Sequence, residues 1–384
     1  MREVFIAGIG LTPVGEHWET SLRELALQAV MGAQQDLAIS TGTPIPRPEA
    51  LFVGNMLAGE LSGQEHLGAL IADFAGFRGI EAATVEAAGA SGGAALRQAI
   101  LAVGSGMMDS VLVVGVEKMT DKVGTGVTAA TATASDSDWE AAQGVTPTGL
   151  AAIIMQRYMH QHQAGLKDFA GFSTNAHRNA RDNPNAMFHN ALSAEAYLKA
   201  AMVAEPVNMF DSAPEADGAA ALFVTAAPAG VRVAASAMAT DTLALHDRGD
   251  LLQFEAARLS AERAYQKAGI GPDAIDVFEL HDAFSVFAAL SLEAAGFAAV
   301  GQGLRLAPDE IALGGRIPIS TFGGLKARGN PGGATGVYQA AEIALQLRWA
   351  AGPSQVAGAH WGMAQCLGGA GATAVTHIFE RHGS

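Results

Sequence analysis

The chain has 384 residues, 49% hydrophobic and only 16% charged, with a net charge of −15; this supports a large core and argues against disorder and nucleic-acid binding. One cysteine, Cys366, excludes an intrachain disulfide or a metal site built on several thiols. No apolar run reaches the ~20 residues that span a bilayer, and the opening MREVFIAGIGLTPVG is too strand-like for a signal peptide, so a cytoplasmic protein without a membrane span is expected.

In chain order, apolar strand-like runs alternate with Ala-rich helical stretches. A strand is expected at 3–9, a helix at 21–38, strands at 50–54 and 83–87, a helix at 91–105 and a strand at 110–117. Residues 118–209 are more polar and read as a mostly helical lid inserted in the first half. Strands follow at 220–226 and 231–238, then a helix at 252–268, a strand at 275–280, helices at 284–296 and 333–349, and strands at 354–361 and 373–379. Continuous apolar strands separated by helices predict an α/β fold with a parallel sheet covered on both faces. The length suits two halves, taken as 1–228, with the lid, and 229–384.

A long-period repeat supports the two halves. GASGGAALRQA (89–99) aligns with GNPGGATGVYQ (329–339), matching Gly89 with Gly329 and Gly92-Gly93-Ala94 with Gly332-Gly333-Ala334. Each segment opens a helix, so both helix N-termini are expected to aim at one centre.

Four segments carry candidate chemistry: VEAAGASGGAA from Val85, ELHDAFS (279–285), GGLKARGNPGGATG (323–336) and QCLGGAGATAVTHI (365–378). Together with VGVEKMTD (114–121) and DSAPEADGAAA (211–221), they resemble the thiolase family over nearly the whole chain. The resemblance is to its sterol-carrier-protein and archaeal acetyl-CoA acetyltransferase branch. It implies a five-layer α-β-α-β-α fold of two similar halves and a coenzyme A thioester as substrate or ligand, with no permanently bound cofactor. It also implies a homodimer or homotetramer, in some relatives joined by a small zinc-ribbon/OB-fold subunit. In that family a cysteine at a helix N-terminus takes the acyl group, where the dipole and free N–H groups favour a thiolate. A histidine in a Gly-His-Pro motif activates it, and a second cysteine in a Cys-x-Gly-Gly turn moves the α-proton.

Here the nucleophile position holds Gly89 and the histidine position holds Asn330, while Cys366 and His281 match. Ala283 stands where this branch often has cysteine. Glycine forms no acyl-enzyme, and Asn330 exchanges no proton near neutrality but donates hydrogen bonds. The resemblance leaves the main-chain N–H groups of Gly89 and Gly368 for one oxyanion hole, His281 and Asn330 for another, and Cys366 as the base. Plainer readings stand beside these: Cys366 as a small buried hydrophobe, Asn330 as a helix cap, Ser91 as a backbone-bonded hydroxyl. His160, His162, His177 and His189 read as solvated lid residues rather than metal ligands. Lys118, Lys122, Arg178 and Arg181 are candidates for the coenzyme's phosphates. The first functional expectation is a thiolase-like protein that binds acyl-CoA without acyl-enzyme catalysis, a pseudoenzyme or a structural subunit of a thiolase complex. The others are a non-covalent retro-aldol carbon–carbon lyase, and an acyltransferase whose nucleophile has moved to Cys366 or Ser91.

Overall fold

The computed structural model describes residues 2–41, 47–306 and 309–383. The first half begins with β1 (Phe5–Leu11), α1 (Leu22–Thr41), β2 (Ala50–Gly54), α2 (Leu67–Phe74), β3 (Glu81–Val85), α3 (Ser91–Ser105) and β4 (Ser110–Glu117). The lid follows as α4 (Gly124–Ala132), α5 (Pro147–His162), α6 (Ala170–Ala180), α7 (Ala194–Leu198) and the short hairpin β5 (Met202–Ala204) and β6 (Val207–Asn208). Then come β7 (Gly218–Thr225), β8 (Val231–Thr240), α8 (Glu255–Ala268), β9 (Val277–Glu279), α9 (Ser285–Ala294), α10 (Thr335–Leu347), β10 (Trp361–Gly368) and β11 (Thr373–Arg381).

The strands join in the order β3-β2-β4-β7-β1-β8-β11-β10-β9. The strands of the two halves are joined by a short antiparallel pairing of Phe5 with Arg232 and Ile6 with Val231. Helix α1 packs on β1, β7 and β4, and α8 packs on β8 and β11. Helices α3 and α10 lie between the halves and touch strands of both. This gives the expected five layers. The sheet is mixed rather than parallel: β2 is parallel to β3 and β4, and β9 to β10, while the remaining pairs are antiparallel. Strands covered on both faces are apolar throughout in either direction, so their sequences do not encode polarity.

The strand expected at 354–361 lies seven residues later. Residues 352–354 form a tight turn, Gly358 adopts φ +76°, and Trp361–Gly368 takes the place between β9 and β11.

The repeat is real, but its register is shifted by four residues. A single 3₁₀ turn, Ala88–Ala90 or Gly332–Ala334, leads directly into α3 at Ser91 and into α10 at Thr335. Gly89 therefore corresponds to Gly333, and Gly92 to Gly336. The contacts obey the same symmetry: a Cβ on Gly92 would meet Val337 N at 2.9 Å, and one on Gly336 would overlap Gly93 N. The two helices cross where neither has a side chain, which brings both N-terminal turns to the centre of the molecule.

Candidate functional site

The turn before α3 is held open by its own hydroxyl. Ser91 Oγ accepts from Ala87 N (2.9 Å) and donates to Ala88 O (2.6 Å), and Ala88 adopts the left-handed φ of +51°. A non-glycine residue at that φ is strained and persists only where its surroundings fix it. Ser91 is fully buried. Gly89 follows and borders a cleft of about 150 Å³ with His281, Ala283, Asn330, Glu215 and Leu367. The lid closes the far wall with Thr128, Thr131 and Ser135 from α4 and its following turn, and with Thr146 and Thr148 at the start of α5. Among the described residues no lysine or arginine lines this cleft.

The role of the Gly89 N–H is legible from its counterpart. Gly333 N donates to Glu117 Oε2 at 2.9 Å, so this turn offers its second N–H to a carboxyl oxygen in one half of the molecule. The same N–H of Gly89 has no acceptor within the described chain and borders the cleft. Glu117 also accepts from Asn55 Nδ2, Met56 N and Leu57 N, tying the ends of β2 and β4 to the start of α10. Burial outweighs these donors and pushes its carboxyl up to about 7.

Asn330 Oδ1 accepts from Thr335 Oγ1 (3.0 Å), which leaves its amide nitrogen as the group available to a ligand. The Asn330 main chain bridges that of Glu215: Asn330 N donates to Pro214 O (3.0 Å) and Ala216 N to Asn330 O (3.3 Å). Asn330 is therefore pinned as a strand-like bridge rather than as a helix cap. His281 is buried, and its imidazole reaches the space beside Gly89, its Cε1 3.1 Å from where a Cβ there would lie. Burial, aided by the nearby Arg328 charge, lowers its pKa to about 3, so it is a neutral imidazole at all working pH values. Its Nδ1 has no partner among the described residues.

Two expected site residues lie elsewhere. Cys366 is buried outside the cleft, its Sγ set against Gly93 and Gly336, with only long contacts of 3.8 Å to Ala90 O and Val375 O. Burial pushes its thiol up to about 12. Alternation along β10 sends Leu367, not Cys366, toward the cleft. Gly368 is paired opposite Thr373, and its neighbours Leu367 and Gly369 border the cleft instead.

The four basic lid residues are absent from the cleft wall as well. Lys118 is buried between Asp217 (2.8 Å) and Asp121 (2.6 Å), Arg178 bonds Asn175, Arg181 pairs with Asp182, and Lys122 is exposed. His177, expected at the surface, is buried against Phe188 and Phe210. Among the described residues no His, Cys, Asp and Glu side chains are grouped to hold a metal ion, and no helix is long and apolar enough to cross a membrane.

Glu215 is the site residue that the sequence motifs did not single out. It stands in DSAPEADGAAA as one charge in a stretch read only as the approach to β7. Its one local signal is a carboxylate placed between a proline and the Ala-Asp-Gly that leads into β7.

Comparison with known proteins matches this architecture end to end. The family model described as "Thiolase, N-terminal domain" matches residues 4–227, and "Thiolase C-terminal domain-like" matches residues 237–381. The acetyl-CoA acetyltransferase of Methanothermobacter thermautotrophicus is 44% identical over 99% of this chain and 100% of its own. Sterol carrier protein 2 of Gallus gallus is 29% identical over 98% of this chain and 71% of its own. The solved structure described as "Ltp2-ChsH2(DUF35) aldolase" superposes with a TM-score of 0.83 at 22% identity, covering 99% of this chain and 98% of that one.

Proposed function

The chain belongs to the thiolase family, and from that membership we propose that it binds an acyl-CoA thioester in the cleft beside Gly89 and does so without forming an acyl-enzyme. One observation carries the reading: no cysteine lines the cleft, because positions 89 and 283 hold glycine and alanine and Cys366 packs elsewhere. The nucleophilic half of the family's chemistry has no atom to act with.

What the cleft retains is a set of hydrogen-bond donors. The Gly89 N–H, the Asn330 amide nitrogen and the neutral His281 imidazole border one space. Preorganised donors of this kind stabilise a thioester oxygen as it gains negative charge, each for ~3 kcal/mol. The buried hydroxyl of Ser91 is committed to backbone and offers no substitute nucleophile. Incubation with acetyl-CoA followed by denaturing mass spectrometry tests the reading. The expected result is the bare chain; an added acetyl group would overturn it.

A second reading is favoured by the free carboxylate in the cleft. Donors aimed at a thioester oxygen, with an acid/base group nearby, suit retro-aldol cleavage of a β-hydroxyacyl thioester. That reaction needs an enolate but no covalent intermediate. The structural neighbour described as an aldolase shares the fold that such chemistry would use here.

A further inference from the structure

We propose that Glu215 is the acid/base residue of this cleft, moving a proton to and from the α-carbon or β-hydroxyl of a bound thioester. The inference rests on the thioester-binding reading above and extends it to a residue.

Three observations lead there. First, among the described residues Glu215 and His281 are the only titratable side chains that border the cleft. His281 is held neutral by burial and is too weak a base to keep a proton, so it serves as a hydrogen-bonding group. Second, the parallel bridge sets Glu215 beside Asn330. Bridged residues present their side chains to the same face, and both of these border the cleft. The carboxylate therefore lies next to the amide that would hold the thioester oxygen. Third, the Glu215 carboxylate has no hydrogen bond or ion pair among the described residues. The acidic groups around it are all engaged: Glu117 holds four donors, Asp217 holds Lys118 and Thr120, and Asp211 holds Tyr197. Asp282 and Glu279 are likewise occupied, by Leu325 N and by Thr321. Those neighbours are buried, whereas Glu215 is exposed at the cleft, where its carboxylate is accessible to a ligand.

The chemistry balances without a further reactant. Glu215 takes the β-hydroxyl proton, the oxygen's electron pair forms a carbonyl, and the bond between the α- and β-carbons breaks. The released pair moves through the α-carbon onto the thioester oxygen, where Asn330, His281 and the Gly89 N–H meet it. The enolate collapses as Glu215 returns the proton to the α-carbon, leaving a carbonyl compound and a shortened thioester. In reverse, Glu215 removes an α-proton from the short thioester.

That reverse half-step is the test. Acetyl-CoA is held with the full chain in deuterium oxide, and methyl-proton loss is followed by NMR, with affinity measured in parallel by calorimetry. The native chain is expected to bind acetyl-CoA and exchange its methyl protons. Glu215→Gln should keep the affinity within a few-fold and lose exchange by about 10²–10⁴-fold, the usual contribution of a positioned acid/base group. Glu215→Asp, which keeps the carboxylate on a shorter arm, should fall between them. Exchange in Glu215→Gln at the native rate would overturn the assignment, as would bound acetyl-CoA with no exchange by the native chain. Failure of the native chain to bind would instead overturn the thioester reading itself.

Discussion

At position 89 a Cβ would lie 2.7 Å from the Leu367 carbonyl oxygen and 3.1 Å from His281 Cε1. The place a nucleophile would need is partly taken by main chain, so glycine here is part of the packing. We expect Gly89→Cys to destabilise the fold by about 1–3 kcal/mol, because a rigid carbonyl must move to admit the side chain. Chemical denaturation measures this; unchanged stability would mean that the space is still open. Gly89, His281 and Asn330 border the cleft, at the positions that the family resemblance of their motifs implied. Cys366 was misleading for a physical reason. A one-residue step along a strand reverses the direction of a side chain, and spacing in a Gly-rich turn does not fix that parity. Glu215 was missed because its partner, Asn330, lies more than a hundred residues away and their bridge is isolated from the main sheet.

The elements that place the site are two helices that cross through glycine. A Cβ on Gly336 would overlap Gly93 N and lie 3.0 Å from Cys366 Sγ, while one on Gly92 would lie 2.8 Å from Gly333 O. Cys366 thus fills the junction of α3, α10 and β10. Gly336→Ala should gain ~1 kcal/mol of helix propensity. It should lose more, because it drives a methyl group into backbone at the centre of the molecule, where overpacking costs about 1–3 kcal/mol and the helices have no free side to retreat to. A lower melting temperature with weaker acetyl-CoA binding is expected; a raised melting temperature would contradict the close crossing. Element types and order were legible from hydrophobic patterning, and the repeat from its glycines. Strand direction and the four-residue register correction were not, since both are decided by how the halves dock.

Across the whole molecule, buried acids and bases set how stability responds to pH. Burial raises Glu117 to about 7 and Glu279 to about 8, so each binds a proton in the folded state that it releases when unfolded. A carboxyl raised above its unfolded value of about 4.5 makes stability fall as pH rises toward the folded value. His281 and His377, lowered to about 3 and about 4, act oppositely, weakening the fold only as pH drops below about 6.5. Lys326, lowered to about 8, adds its effect only above that value. Between pH 6.5 and 8 the carboxyls act alone, and the melting temperature should fall across that window. A melting temperature that rises from pH 6.5 to 8 would show that these carboxyls are ionised at no cost in the fold.

All three scales converge on a thiolase-fold cleft that keeps its donors and lacks its thiol. Native mass spectrometry of the chain with acetyl-CoA, followed by denaturation of the same sample, tests that most directly. The expected result is a complex heavier by one acetyl-CoA that returns to the bare chain when denatured. A chain that stays heavier by an acetyl group, or that forms no complex at all, would contradict it.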